Sequence, residues 1–155
     1  MAAEETKDFS QARVMAFRFL KIRERSVKEL RDKLALKAVS SEVIERTIAY
    51  LAEKKFLNDE QFARNWIRYR QARPFGPQRI KMELRQKGIS EEIIVQQMQL
   101  AFENQGQEDA VFDLASRRAK RYANDDPIKR KKKVFDFLSR RGFGLEIIKK
   151  AVKDI

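Results

Sequence analysis

Apolar residues recur at helical spacing in most windows of the chain, and strand-like alternation is scarce. After residues 1–8, which read as a short flexible tail, Val14, Phe17 and Leu20 follow i, i+3, i+6 spacing, with Phe19 and Ile22 on an adjoining face. Ser26 and Glu29 have the spacing of a capping box: the serine oxygen accepts from a free backbone N–H and the glutamate reaches back. The helix opened there carries Leu30 and Leu34, and a third, after Ser40 or Ser41, lines up Ile44, Ile48 and Leu51.

The plan then repeats. Asn58 and Gln61 form a second box before Phe62, Trp66 and Tyr69. Gly76 permits a sharp turn, and Pro77 sits where a helix can spare its N–H. Ile80 and Leu84 line that helix, Gly88 suits a left-handed C-terminal cap, and Ser90 opens a helix holding Ile94 and Met98. In the last stretch Val111, Leu114 and Ala115 begin a helix ending near Tyr122. Asp126-Pro127 starts the next, faced by Val134, Phe137 and Leu138 and capped by Gly142. Residues 146–155 close the chain with Ile148 and Val152 inward.

Leu34, Leu84 and Leu138 are separated by 50 and 54 residues, and an isoleucine follows each by ten: Ile44, Ile94 and Ile148. Ile48, Met98 and Val152 come fourteen on, and Gly88 and Gly142 share a slot filled by Ala38 in the first unit. The four extra residues of the last spacing are expected near Ala123–Asp126. The pattern predicts an all-α chain of three tandem three-helix units, residues 9–57, 58–105 and 106–155. One such unit cannot cover its own apolar face, so the units should pack in series, as an elongated, curved array with a long concave surface.

Composition narrows the chemistry. With 155 residues and 43% apolar content the chain can build a core, and with no Cys and no His it lacks the usual zinc ligands, catalytic triads, redox dithiols and disulfides. Scattered carboxylates such as Glu83, Asp113 and Asp136 form no catalytic pair; local pairing, for example Glu83 with Lys87, is the simpler reading. "RGFG" at Arg141–Gly144 lacks the spacing and the terminal Lys-Ser/Thr of a phosphate loop and reads as a turn. No secretory signal and no membrane-spanning run appear, so a soluble, cytoplasmic protein without cofactor or metal is expected.

Charge adds a binding surface. The 35 Lys+Arg against 23 Asp+Glu leave a net charge of +12. Arg64, Arg68, Arg70, Arg73, Arg79, Lys81, Arg85 and Lys87 share their window with Glu83 alone. Arg117, Arg118, Lys120, Arg121, Lys129, Arg130, Lys131, Lys132 and Lys133 share theirs with Asp125 and Asp126. Arg64/Arg68 and Lys81/Arg85 are i, i+4 pairs whose repulsion a polyanion would relieve. One such pair reads as an ordinary solvated face; both windows together point to contact with phosphates or acidic protein. Phe62 and Trp66 read as core at their helical spacing, while Phe75, beside Gly76, is open to core or base-stacking roles.

The string from Phe56 to Ser90, "FLNDEQFARNWIRYRQARPFGPQRIKMELRQKGIS", resembles the central signature of the RecX family, bacterial regulators of RecA recombinase. "RERSVKELRDKL" at Arg23–Leu34 resembles the family's first-unit motif, and Phe137–Phe143 its third. The resemblance covers nearly the whole chain from about residue 10. It implies three tandem three-helix units and a non-enzymatic protein that binds the RecA–DNA filament in its groove. Such proteins limit filament growth or promote disassembly, and thereby lower ATP hydrolysis, strand exchange and co-protease activity in DNA repair and the SOS response. The third unit departs most, with Asp126-Pro127 where the second has Gly76-Pro77.

On this reading the contact residues are Arg64, Arg68, Arg70, Arg73, Arg79, Lys81, Arg85 and Lys87 in the middle unit. In the third they are Arg117, Arg118, Arg121, Lys129, Lys131 and Lys132. The partners are the RecA filament and single- and double-stranded DNA, met by a monomer. Two other functions fit the charge: a helix-turn-helix transcription regulator and a nonspecific nucleic-acid binder. The first would normally pair across a palindrome, and no dimer stripe is apparent. The second would show a steep salt dependence, with a slope near about −4 on single strands if about six phosphates were neutralised.

Overall fold

The computed structural model describes residues 2–102, 107–153 and 155, and is all α. Its helices are α1 (Ala2–Ile22), α2 (Val27–Ala35), α3 (Ser41–Glu53), α4 (Asp59–Gln71), α5 (Pro77–Gln86), α6 (Glu91–Phe102), α7 (Gln107–Lys120), α8 (Pro127–Arg140) and α9 (Leu145–Lys153). All extensive helix–helix packing lies within α1–α3, within α4–α6 or within α7–α9. Each triplet has its own core: Leu30, Leu34, Ile48 and Leu51 in the first, Ile67, Ile80, Leu84 and Ile94 in the second, Val111, Val134, Leu138 and Ile148 in the third. Each of these side chains, removed from water, contributes about 2 kcal/mol. The repeat positions Leu34, Leu84 and Leu138, with Ile44, Ile94 and Ile148, are all buried. The boundary between residues 105 and 106 lies outside the described residues.

Helix starts follow their capping chemistry. Ser26 and Glu29 make the full reciprocal box, and Ser40, not Ser41, caps α3. Asn58 accepts from the Gln61 N–H at 2.9 Å, but the Gln61 amide turns to Asn65 at 3.0 Å, so the second box is half made. Gly76 and Asp126 stand at the caps of α5 and α8, each followed by proline.

Three expectations need correcting. Residues 2–8 are helical, continuing α1. The inward face of α1 is Ala12, Ala16 and Leu20, flanked by Met15 and Phe19. Val14, Phe17 and Ile22 are 50%, 37% and 75% exposed, because buried alanines let α1 approach α3 and leave no room for larger groups. The four extra residues of the third unit extend α8 itself: it has 14 residues against 10 in α5, about one more turn.

The turn after the second helix of each unit is built three times over. Val39, Ile89 and Phe143 donate their N–H to the carbonyls of Leu34, Leu84 and Leu138 at 3.3, 3.1 and 3.3 Å, closing left-handed caps at Ala38, Gly88 and Gly142. Their φ values are +57°, +77° and +81°. Only Ala38 has a Cβ to strain, at about 1–2 kcal/mol in that region. Ala38→Gly is therefore expected to raise stability by about 0.5–1 kcal/mol after the extra unfolded-state entropy of glycine, read as a higher urea midpoint at unchanged m.

The same turns join the units. Gly88 lies against the α2 side chain of Lys28, where an added Cβ would come to 2.5 Å. Ser26 donates its hydroxyl to the Lys87 carbonyl at 2.6 Å, and the Val27 N–H donates to Asp59 at 2.8 Å. At the second joint the N–H groups of Gly76 and Gln78 donate to the carbonyls of Arg141 and Gly142 at 2.7 and 3.1 Å. Thus the cap of one unit's second helix meets the glycine turn of the next.

Candidate polyanion interface

The cations of the middle unit divide into two sets. Phe62, Ala63 and Ile67 turn α4 toward the core, which leaves Arg64 and Arg68 outside. Arg64 donates to the side-chain oxygen Oε1 of the buried Gln97 at 3.3 Å; Arg68 has no side-chain hydrogen bond or ion pair among the described residues. Arg73 is exposed, its guanidinium 4.5 Å from the Tyr69 ring centre. Lys81 is half-buried without an ion pair among the described residues, and Arg85 makes a bidentate surface pair with Glu91 at 2.6 and 2.8 Å. Such exposed pairs contribute about 0–1 kcal/mol and exchange readily for another anion.

Arg70, Arg79 and Lys87 form the second set, and their charges are engaged internally. Glu83, with a side chain only 10% exposed, accepts from Arg70 at 2.6 Å, from Arg79 at 3.1 Å and from the Trp66 indole N–H at 3.1 Å. It does not pair with Lys87, whose ammonium reaches across the first joint to Glu29 at 2.7 Å. A carboxylate buried among cations gains more from two guanidinium forks than from one flexible ammonium a turn away.

The third unit also divides. Arg121, Lys129 and Lys132 are exposed and unpaired among the described residues, and Arg117 pairs with Asp113 at 2.6 Å on the surface. Lys131 donates to the Lys153 carbonyl at 2.8 Å. Arg118 is drawn in, 4.5 Å from the Phe137 ring centre and 5.3 Å from that of Tyr122.

The rings are covered by the protein's own side chains. Lys87 stands 4.0 Å and Arg70 4.8 Å from the Trp66 ring centre, with Phe62 stacked at 6.1 Å. Phe75 is half-buried under Arg70, Arg79 and Arg141 at 4.7, 5.1 and 5.0 Å. Its position is a joint position, and three guanidinium groups occupy the surroundings a base would need. Arg141 itself went unselected in the sequence. Its signal was the repeat register: the residue before the left-handed slot is basic in all three units, as Lys37, Lys87 and Arg141.

Glu29 gives the first joint a pH dependence. Burial pushes its carboxyl upward, but hydrogen bonds from Arg23 and Lys87 outweigh this and hold it at about 2, below its ordinary 4.5. A depressed carboxylate adds stability above its unfolded value and loses it as pH falls through the folded one. The contribution should therefore fade between pH 4.5 and 2. Glu29→Gln should flatten that part of an acid-unfolding curve.

Among the described residues no cluster of acids forms a metal site, and no helix is long and apolar enough to cross a membrane. Comparison with known proteins agrees with this architecture. Family models for the first, second and third three-helix domains of RecX match residues 12–51, 58–96 and 106–152. The regulatory protein RecX of Chlorobium limicola is 32% identical over 92% of this chain and 88% of its own length. That of Clostridium beijerinckii is 29% identical over 97% of this chain and 71% of its own length. The crystal structure of RecX from Lactobacillus salivarius superposes with a TM-score of 0.83 at 27% identity, over 96% of this chain and 97% of that one. With all three domains matched in order and their helices in place, the chain belongs to the RecX family of regulatory, non-enzymatic proteins.

Proposed function

We propose that this protein binds the RecA–DNA filament and lowers recombinase ATPase, strand exchange and co-protease activity. The observation that carries the reading is the outward set of cations, Arg68, Arg73, Arg121, Lys129 and Lys132, left without carboxylate partners among the described residues on units joined in series. Unneutralised charge spread over successive units suits an extended polyanion better than a small ligand. Membership of a regulatory family supports the same reading, and the RecX resemblance supplies the partner.

RecA ATP hydrolysis on single-stranded DNA, followed while folded protein is added, tests it. Hydrolysis should fall as the protein approaches stoichiometry with RecA. Unchanged hydrolysis would sink the proposal. A footprint on one defined duplex site, formed without recombinase, would instead favour a transcription regulator.

A further inference from the structure

Four arginines converge where the middle and third units meet. Arg70, Arg79 and Arg141 surround the ring of Phe75, and Arg118 and Arg141 lie 4.5 and 4.9 Å from the ring centre of Phe137. Glu83 is their one ion-pair partner among the described residues, and it is spent on Arg70 and Arg79. Arg79 and Arg141 hold the joint through backbone carbonyls: Arg79 donates to Arg140 and Arg141 to Pro74, each at 3.1 Å. Carbonyls satisfy N–H groups without cancelling charge. The Arg118 Nε is buried and has no acceptor. Burial lowers the pKa of Arg141, and the nearby Arg118 and Arg79 lower it further.

A guanidinium has five N–H donors; among the described residues those of Arg118 are unclaimed, and Arg141 donates one to the Pro74 carbonyl. Three fixed forks with excess positive charge suit a tetrahedral oxyanion, which accepts from several donors at once. We propose that Arg79, Arg118 and Arg141 form a seat for a backbone phosphate of nucleic acid, so that a strand lying along the array ties the middle and third units together. The seat rests on the polyanion reading above, and deepens it by naming the group bound and the joint at which it binds. Its bridging position follows from the elements that supply it: α5, α7 and the turn between α8 and α9. A phosphate there would accept from the terminal N–H groups of the forks and offset repulsion between Arg118 and Arg141.

The test is a titration of the full ¹⁵N-labelled chain with a base-free deoxyribose-phosphate oligomer, read at the arginine Nε signals. A glutamate peptide of equal charge serves as the second arm. The Arg118 and Arg141 signals should move with the oligomer and saturate together. Arg118→Gln should flatten the log affinity against log salt slope by about 0.7, one single-strand phosphate contact, whereas Arg141→Lys should keep the slope and weaken binding several-fold by losing the fork. Arg31→Gln, at a surface pair in the first unit, should leave the slope unchanged. Arg141→Lys keeps the charge and the stem, so it decides the matter if Arg118→Gln weakens the third unit. Unmoved Arg118 and Arg141 signals would overturn the proposal, as would movement with the peptide alone. If RecA ATPase were still inhibited under either outcome, the seat alone would fall and the filament reading would stand.

Discussion

Replacing Glu83 with alanine is expected to destabilise the middle unit by about 3–5 kcal/mol, the usual effect of stripping one partner from a buried ion pair. Arg70 is the residue left exposed to this loss. Its side chain is 18% accessible and its guanidinium sits against Trp66, Tyr69 and Phe75, so it cannot swing into water without vacating three rings. Arg79 and the Trp66 indole lose the same acceptor. Trp66 is the sole tryptophan, so urea unfolding followed by its emission reads the damaged site directly. The local pairing with Lys87 expected from spacing would contribute only about 0.2–0.5 kcal/mol. A loss below about 1 kcal/mol would therefore contradict the buried three-way hub.

Gly76→Ala should open the second joint while sparing the cores. A Cβ at residue 76 would come within 2.3 Å of the carbonyl carbon and oxygen of Gly142 and 2.4 Å of the Phe143 nitrogen. These are backbone atoms, so no rotamer change relieves the overlap, and the two backbone hydrogen bonds from Gly76 and Gln78 must break. Helix content by circular dichroism should stay near the parent's, since each unit packs on its own cluster. The radius of gyration from solution scattering should rise, and filament affinity should fall about tenfold or more, equivalent to ~1.4 kcal/mol of lost alignment. Unchanged scattering and affinity would mean that the joint is not built through this glycine.

The repeat was readable because it rests on large aliphatic residues at fixed spacing and on left-handed turns. Leu34, Leu84 and Leu138 report the core wherever they occur, and Gly88 and Gly142 report a backbone that side chains disfavour. Helix α1 misled for the opposite reason. Its packing face uses Ala12 and Ala16, which carry little hydrophobic signal, while the conspicuous Val14 and Phe17 lie toward solvent. The extra turn of α8 was misplaced because Asp126-Pro127 marks where a helix starts but not how far it outreaches its counterpart.

Charge was legible in amount and not in direction. Arg68 and Arg70 are two residues apart on α4, yet the first has no ion pair among the described residues and the second is locked under Glu83. Spacing along one helix cannot distinguish them, because the partners of Arg70 come from α5 and from the turn at Phe75. The joints were invisible for the same reason. Ser26, Glu29 and Lys87, or Gly76 and Arg141, come together only once the units are stacked.

Cosedimentation with RecA filaments on single-stranded DNA, comparing the parent with a variant carrying Arg68→Glu, Arg73→Glu, Arg121→Glu and Lys132→Glu, tests whether the outward cations are the grip. None of these four side chains makes an ion pair among the described residues, so the variant should unfold at nearly the parent's urea midpoint. It should nevertheless stay in the supernatant at concentrations where the parent pellets with the filament. A variant that is folded and still pellets like the parent would show that the filament is held by some other surface.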